Sequence, residues 1–189
     1  MAVAQLRKIY QLKITLVGSK PPIWRRILVT DDITLDKFHL ILQIAMGWTN
    51  SHLHQFISNG QFYGIKDDDF GFDMDIKNEE DYKLNHLLKS EKDILIYEYD
   101  FGDGWEHKVL LEKITPFNID NKLPSCIKGK RACPPEDCGG IWGYAGLIET
   151  LNSPDDPEYE SMVEWLGGKF DPEAFNIKET NKILSEYIR

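Results

Sequence analysis

The sequence predicts an α+β domain: an antiparallel sheet built from hairpins, one early helix, and a helical segment at the C-terminal end. Three observations carry this. Four segments alternate apolar and polar residues with period two, at 9–17, 23–29, 93–101 and 105–114. Asn59-Gly60 stands between two such runs, HLHQFIS and QFYGI, and both residues suit a type I′ turn that needs positive φ. The last third reads as helices at 141–151, 158–166 and 177–188.

The elements follow in order. In IYQLKITLV, Leu12, Ile14 and Leu16 share one face, with Lys13 and Thr15 opposite. Pro21-Pro22 ends that strand. In IWRRILV, Arg25 falls on the same face as Ile23, Ile27 and Val29, while Trp24, Arg26 and Leu28 fall on the other. Thr34 reads as an N-cap, Leu35, Phe38, Ile41, Leu42 and Ala45 as a helical stripe with His39 beside it, and Gly47 as its stop. Residues 66–81 are acidic and turn-rich and read as a surface loop, followed by a short helix within 82–90. Gly102-Asp103-Gly104 joins the next two strands, and residues 116–140 read as irregular. Asp171-Pro172 reads as an N-cap with proline at the first helical position.

Composition narrows the class. A chain of 189 residues is read as one domain, 1–189, able to bury a core without disulfides or metal. No signal-like N-terminus and no long apolar run appear, so the expectation is a cytoplasmic protein with no membrane partner. The net charge of −9 disfavours non-specific nucleic-acid binding. The charge is uneven, because residues 1–60 hold seven Lys/Arg against three Asp/Glu. All three cysteines lie within 126–138, which is not a disulfide framework.

Four constellations carry chemistry. The first is Cys126, Cys133 and Cys138, which with His107 or His54 would make a four-ligand zinc site. Otherwise it is a Pro/Gly-held loop with free thiols, or a redox site whose thiol pKa values Lys128, Lys130 and Arg131 lower. The second is His52-x-His54, read as two imidazoles on one strand face, able to chelate a metal or simply to hydrogen-bond beside an aromatic cluster. In the third, Asp100, Asp103, Glu106 and His107 crowd one hairpin end, where Asp103 serves acid–base work or only the turn. The fourth is a basic patch of Arg25, Arg26, Lys128, Lys130 and Arg131, against two ion-paired arginines on a strand.

Together PPIWRRI, LDKFHLILQIAMGW with HLHQF, YDFGDGWEH and CIKGKRACPPEDCGGIWGY resemble the plasmid pRiA4b ORF-3-like family, in family order over roughly residues 8–150. The resemblance implies a roll-like α+β fold in a prokaryotic, mobile-element setting, and it brings no catalytic residue to carry over. A resolvase-type activity attached to some members finds no match here, since Ser19 is followed by Lys20-Pro21-Pro22. Two functions follow as expectations. One is a binding or accessory module with a cleft of His52, His54, Tyr99, Asp100, Asp103, Trp105 and Trp142, taking nucleic acid or protein. The other is a metal-dependent hydrolase in which His52, His54, His107, Asp100 and Asp103 hold the ion or act as base. The motif blocks are expected to converge on one rim.

Overall fold

The computed structural model describes residues 7–66 and 76–188. An eight-stranded mixed sheet runs in the order β5-β4-β3-β6-β7-β1-β2-β8. The strands are β1 (Lys8–Leu16), β2 (Trp24–Thr30), β3 (His54–Ser58), β4 (Gln61–Gly64), β5 (Ile76–Asn78), β6 (Ile94–Tyr99), β7 (Trp105–Pro116) and β8 (Ser125–Lys130). Every pairing is antiparallel except β4 with β5. Helices α1 (Leu35–Met46), α2 (Leu84–Leu87), α3 (Gly140–Leu151), α4 (Tyr159–Trp165) and α5 (Ile177–Tyr187) complete the α+β fold. Among the described residues no helix is long and apolar enough to cross a membrane.

The period-two pattern decides which sheet face is buried. Leu12, Ile14 and Leu16 on β1, Ile27 and Val29 on β2, and Val109 and Leu111 on β7 are at most 1% exposed. Phe38, Ile41, Leu42 and Ala45 of α1 join the same core, and α5 packs against β8 and α1 through Leu184. The opposite face is polar. There Glu112 accepts two hydrogen bonds from Arg26, at 2.6 and 2.8 Å, and one from Gln11 at 2.8 Å.

Arg25 obeys the pattern despite its charge. It lies on the apolar face and is 1% exposed. Its guanidinium donates to the carbonyls of Ala45 (2.7 Å), Trp24 (2.9 Å) and Lys130 (3.0 Å) and stacks on Phe175 at 3.9 Å. One buried side chain therefore ties β2, α1 and β8 together, and burial of the ion lowers its pKa. The basic patch is corrected accordingly. Arg25 and Arg131 are buried, Arg26 is paired with Glu112, and only Lys128 and Lys130 of the five keep exposed charge without such a role.

Several local expectations give way to tertiary structure. Thr34 is the N-cap of α1, but its side chain makes no capping bond and its Oγ1 is buried without a partner. The backbone bond from Leu35 N to Tyr82 O anchors that end of the helix instead. Within the acidic segment, 67–75 fall outside the described residues, while β5 and a 3-10 turn (Glu79–Asp81) replace the expected loop. β5 is only three residues (Ile76-Lys77-Asn78) on a sheet edge, too short to leave an alternating hydrophobic signature. Likewise β8 arises inside the region read as irregular, because β2 offers it a free edge. Asp171-Pro172 starts no helix. Asp171 Oδ1 accepts from Glu173 N at 2.9 Å in a local turn, and α5 begins after Asn176, whose side chain caps it.

Two core histidines remain. His107 is fully buried, with Nδ1 3.3 Å from Tyr97 O and Nε2 unpartnered. His39 Nδ1 lies 2.8 Å from Tyr97 Oη and its Nε2 2.7 Å from Asn50 Oδ1. Asn50 Oδ1 only accepts, so His39 carries its proton on Nε2 toward Asn50 and accepts the Tyr97 proton at Nδ1, while Gln43 Nε2 donates to Tyr97 Oη. Burial pushes both imidazoles down to about 4, and for His39 the neighbouring His54 adds to the effect.

Two predictions follow from this core. Arg25→Ala leaves three buried carbonyls without a donor and is expected to cost about 2–4 kcal/mol by urea unfolding. Because the folded pKa of each histidine lies below the unfolded value near 6.5, the unfolded chain takes up protons first as pH falls. Stability is therefore full above about pH 6.5 and falls between there and pH 4, by about 3 kcal/mol per histidine. Replacing His39 with Gln should flatten that slope, read from unfolding midpoints between pH 4 and 7.

Candidate functional site

Three loops, drawn from three of the four motif blocks, meet at one end of the sheet, and the PPIWRRI block is not among them. They are the α1–β3 loop (47–53), the β6–β7 turn (100–104) and the loop before α3 (131–139). The third is the Pro/Gly-rich CPPEDCGG segment, and its carboxylate Glu136 holds the three together. Tyr99 Oη donates to Glu136 Oε1 at 2.5 Å and accepts from Ser51 N at 3.0 Å. The Thr49 hydroxyl donates to Glu136 Oε2. Trp48 Nε1 donates to Pro134 O at 3.0 Å, and Gly139 N donates to Asp103 Oδ2 at 3.2 Å. The approach is so close that a Cβ on Gly140 would collide with Asp103 O, and one on Gly143 with Cys138 O. Glycine is obligatory at both.

The clamp places three metal-ligating groups together. Among the described residues one set of His, Cys, Asp or Glu ligand atoms lies mutually within 4.8 Å: His52, Asp100 and Asp137. His52 Nε2 is 3.2 Å from Asp137 Oδ1 and 3.7 Å from Asp100 Oδ2. Neither contact has hydrogen-bond geometry, so that buried nitrogen is unpartnered. The backbone presents both carboxylates from the left-handed region, with φ 57° at Asp100 and 59° at Asp137. Asp100 Oδ1 is taken by the turn's own Gly102 N at 3.0 Å, which leaves Oδ2 to face His52. The His52 ring packs edge-on against Tyr99, with centroids 5.8 Å apart. The site grades outward: the Asp100 side chain is 10% exposed, His52 28% and Asp137 71%.

The expected site residues thus divide. His52, Tyr99, Asp100 and Asp103 belong to the converging loops. His54 does not share a face with His52, because β3 begins only at His54. His54 turns into the protein, where Nε2 pairs with Glu79 at 2.8 Å and its ring stacks on His39 with centroids 3.4 Å apart. Trp105 and His107 are core residues beneath Trp48, and Trp142 is 86% exposed on α3.

The three thiols and His107 do not form a set of mutually close ligand atoms among the described residues. Cys126 Sγ instead donates to Lys128 O. Burial raises all three thiol pKa values, that of Cys138 to about 12, and for Cys126 and Cys133 the neighbouring Arg25 offsets only part of the rise. The expectation that nearby cations activate these thiols is reversed, since desolvation is the larger effect. Sequence reasoning missed Asp137 and Glu136. Their signal was two adjacent carboxylates inside a loop that Pro134, Pro135, Gly139 and Gly140 hold rigid.

The comparisons agree with this architecture. Uncharacterized protein y4hQ of Sinorhizobium fredii is 35% identical over 179 residues, spanning 94% of this chain and 91% of its own. The crystal structure of a protein of unknown function, MM3350 from Methanosarcina mazei Go1, superposes with a TM-score of 0.83 at 38% identity, covering 93% of this chain and 98% of that one. The model of the plasmid pRiA4b ORF-3-like family matches residues 8–179, and the chain belongs to that family.

Proposed function

We propose that this protein is a binding module for a divalent transition-metal ion held by His52, Asp100 and Asp137. The observation that carries the reading is the unpartnered, buried His52 Nε2 facing two carboxylates within 4.8 Å. One imidazole with two carboxylates is a nitrogen–oxygen donor set. It suits Zn²⁺ or Mn²⁺ better than it suits a soft thiolate-seeking ion. The ion would neutralise Asp137, which has no Lys or Arg partner among the described residues, and would fill the space between the three ligand atoms.

Metal-assisted hydrolysis is the second reading, favoured by the exposure of Asp137. Three protein ligands leave positions for water, and an ion at this rim is open to a substrate oxygen.

Two predictions test the assignment. Titration of Mn²⁺ or Zn²⁺ into metal-free protein by calorimetry should show one site per chain. His52→Ala and Asp137→Asn should each weaken it at least tenfold, while Cys133→Ser leaves it unchanged; unchanged binding in His52→Ala would sink the assignment. Glu136→Ala removes no ligand, yet it frees Tyr99 and Thr49 and so loosens His52. It should lower ion affinity by about 10–100-fold, as loss of an orienting partner does.

A further inference from the structure

Beyond the ion, a second site lies beside it. A groove of about 530 Å³ runs between α3, α4 and the loop that carries Asp137. Its floor is one face of α3, where Gly143, Gly146 and Leu147 recur at helical spacing; Gly143 is packed against the Cys138 carbonyl, and Gly146 is the glycine that leaves space open. No atom lies within 4 Å of where a Cβ on Gly146 would stand, so the room there is real. Its walls carry Asp137, Glu149, Asp156 and Glu158, and no Lys, Arg or His lines it. Among the described residues Glu149, Asp156 and Glu158 have no salt-bridge partner. Met162 and Trp165 of α4 complete the lining, and Trp165 is 51% exposed.

Four like charges facing one groove repel each other, and a cationic occupant removes that repulsion. The same field rejects nucleic acid and phosphate. A half-exposed indole offers a face for a Lys or Arg cation, and Met162 with Leu147 offers an adaptable apolar surface. Acid on the walls with apolar side chains between them matches a ligand that carries both characters along its length. We infer that the groove binds a Lys- or Arg-bearing amphipathic peptide segment of a partner protein. This goes beyond the ion site and does not rest on it, because three of the four carboxylates are not ion ligands.

The test is fluorescence anisotropy in EDTA, so that the ion has no part in it. The probe is a fluorescein-labelled twelve-residue peptide of alternating Lys and Leu, with a Glu-for-Lys version as control. Three variants accompany the wild type. Gly146→Leu fills the groove without changing charge. Glu149→Gln with Glu158→Gln removes two wall charges at exposed positions where folding is not at stake. Glu106→Gln with Glu186→Gln removes two charges elsewhere. Saturable binding of the Lys peptide is expected, weakened at least tenfold by each groove variant and less than twofold by the distant pair. Equal weakening by the distant pair, or undiminished binding to Gly146→Leu, would overturn the proposal and leave only general charge attraction. Spermine binding as tightly as the peptide would also overturn it, since the groove would then select charge without apolar side chains.

Discussion

The carboxylate of Glu136 is the constraint on which the functional end of this protein depends. One oxygen takes the Tyr99 hydroxyl and the other the Thr49 hydroxyl, so a residue of the CPPEDCGG loop is bonded to the end of β6 and to the loop after α1. Charge-assisted hydrogen bonds of this kind are the strong ones, and two on a single carboxylate fix its plane. His52 inherits its position from that clamp. It follows Ser51, whose N–H is held by the same Tyr99 hydroxyl. Asp137 inherits its position directly, as the next residue in the chain. Without Glu136 the loops would keep only the Trp48–Pro134 and Gly139–Asp103 hydrogen bonds between them, and the three ligand atoms within 4.8 Å of one another would be held less firmly.

Beneath the clamp the sheet supplies rigidity by a different means. Arg25 crosses from β2 to reach carbonyls on α1 and beside β8, so the edge strand and the early helix are locked to the sheet. The network from Gln43 through Tyr97 to His39 and Asn50 does the same for the far side of α1, ending on the loop that carries His52. Both devices are buried polar groups with several partners, costly if broken and specific when complete. The thiols share this interior, which is why burial and not the nearby cations sets their chemistry.

Much of the architecture was legible because burial follows period. Leu12, Ile14 and Leu16 announced the core face of β1, and Asn59-Gly60 announced the β3–β4 turn, with φ of 50° and 78°. Even Arg25 was legible as position, though its charge invited a surface role that burial refutes. What escaped was structure created only by partners. β5 and β8 are strands because β4 and β2 offer edges, not because their own residues alternate. The site escaped in part for the same reason. His52 and His54 are two apart and look like one chelating pair, but the strand starts between them and sends them to different neighbours. Asp137 lies 85 residues from His52 in the chain, and only the fold makes them adjacent.

The central claim is that the loop clamp builds an ion site, and anomalous diffraction tests it most directly. Crystals soaked in Mn²⁺ and measured near the manganese edge should show one strong peak between His52 Nε2, Asp100 Oδ2 and Asp137 Oδ1. A peak among Cys126, Cys133 and Cys138, or none at the clamp under saturating ion, would contradict the account.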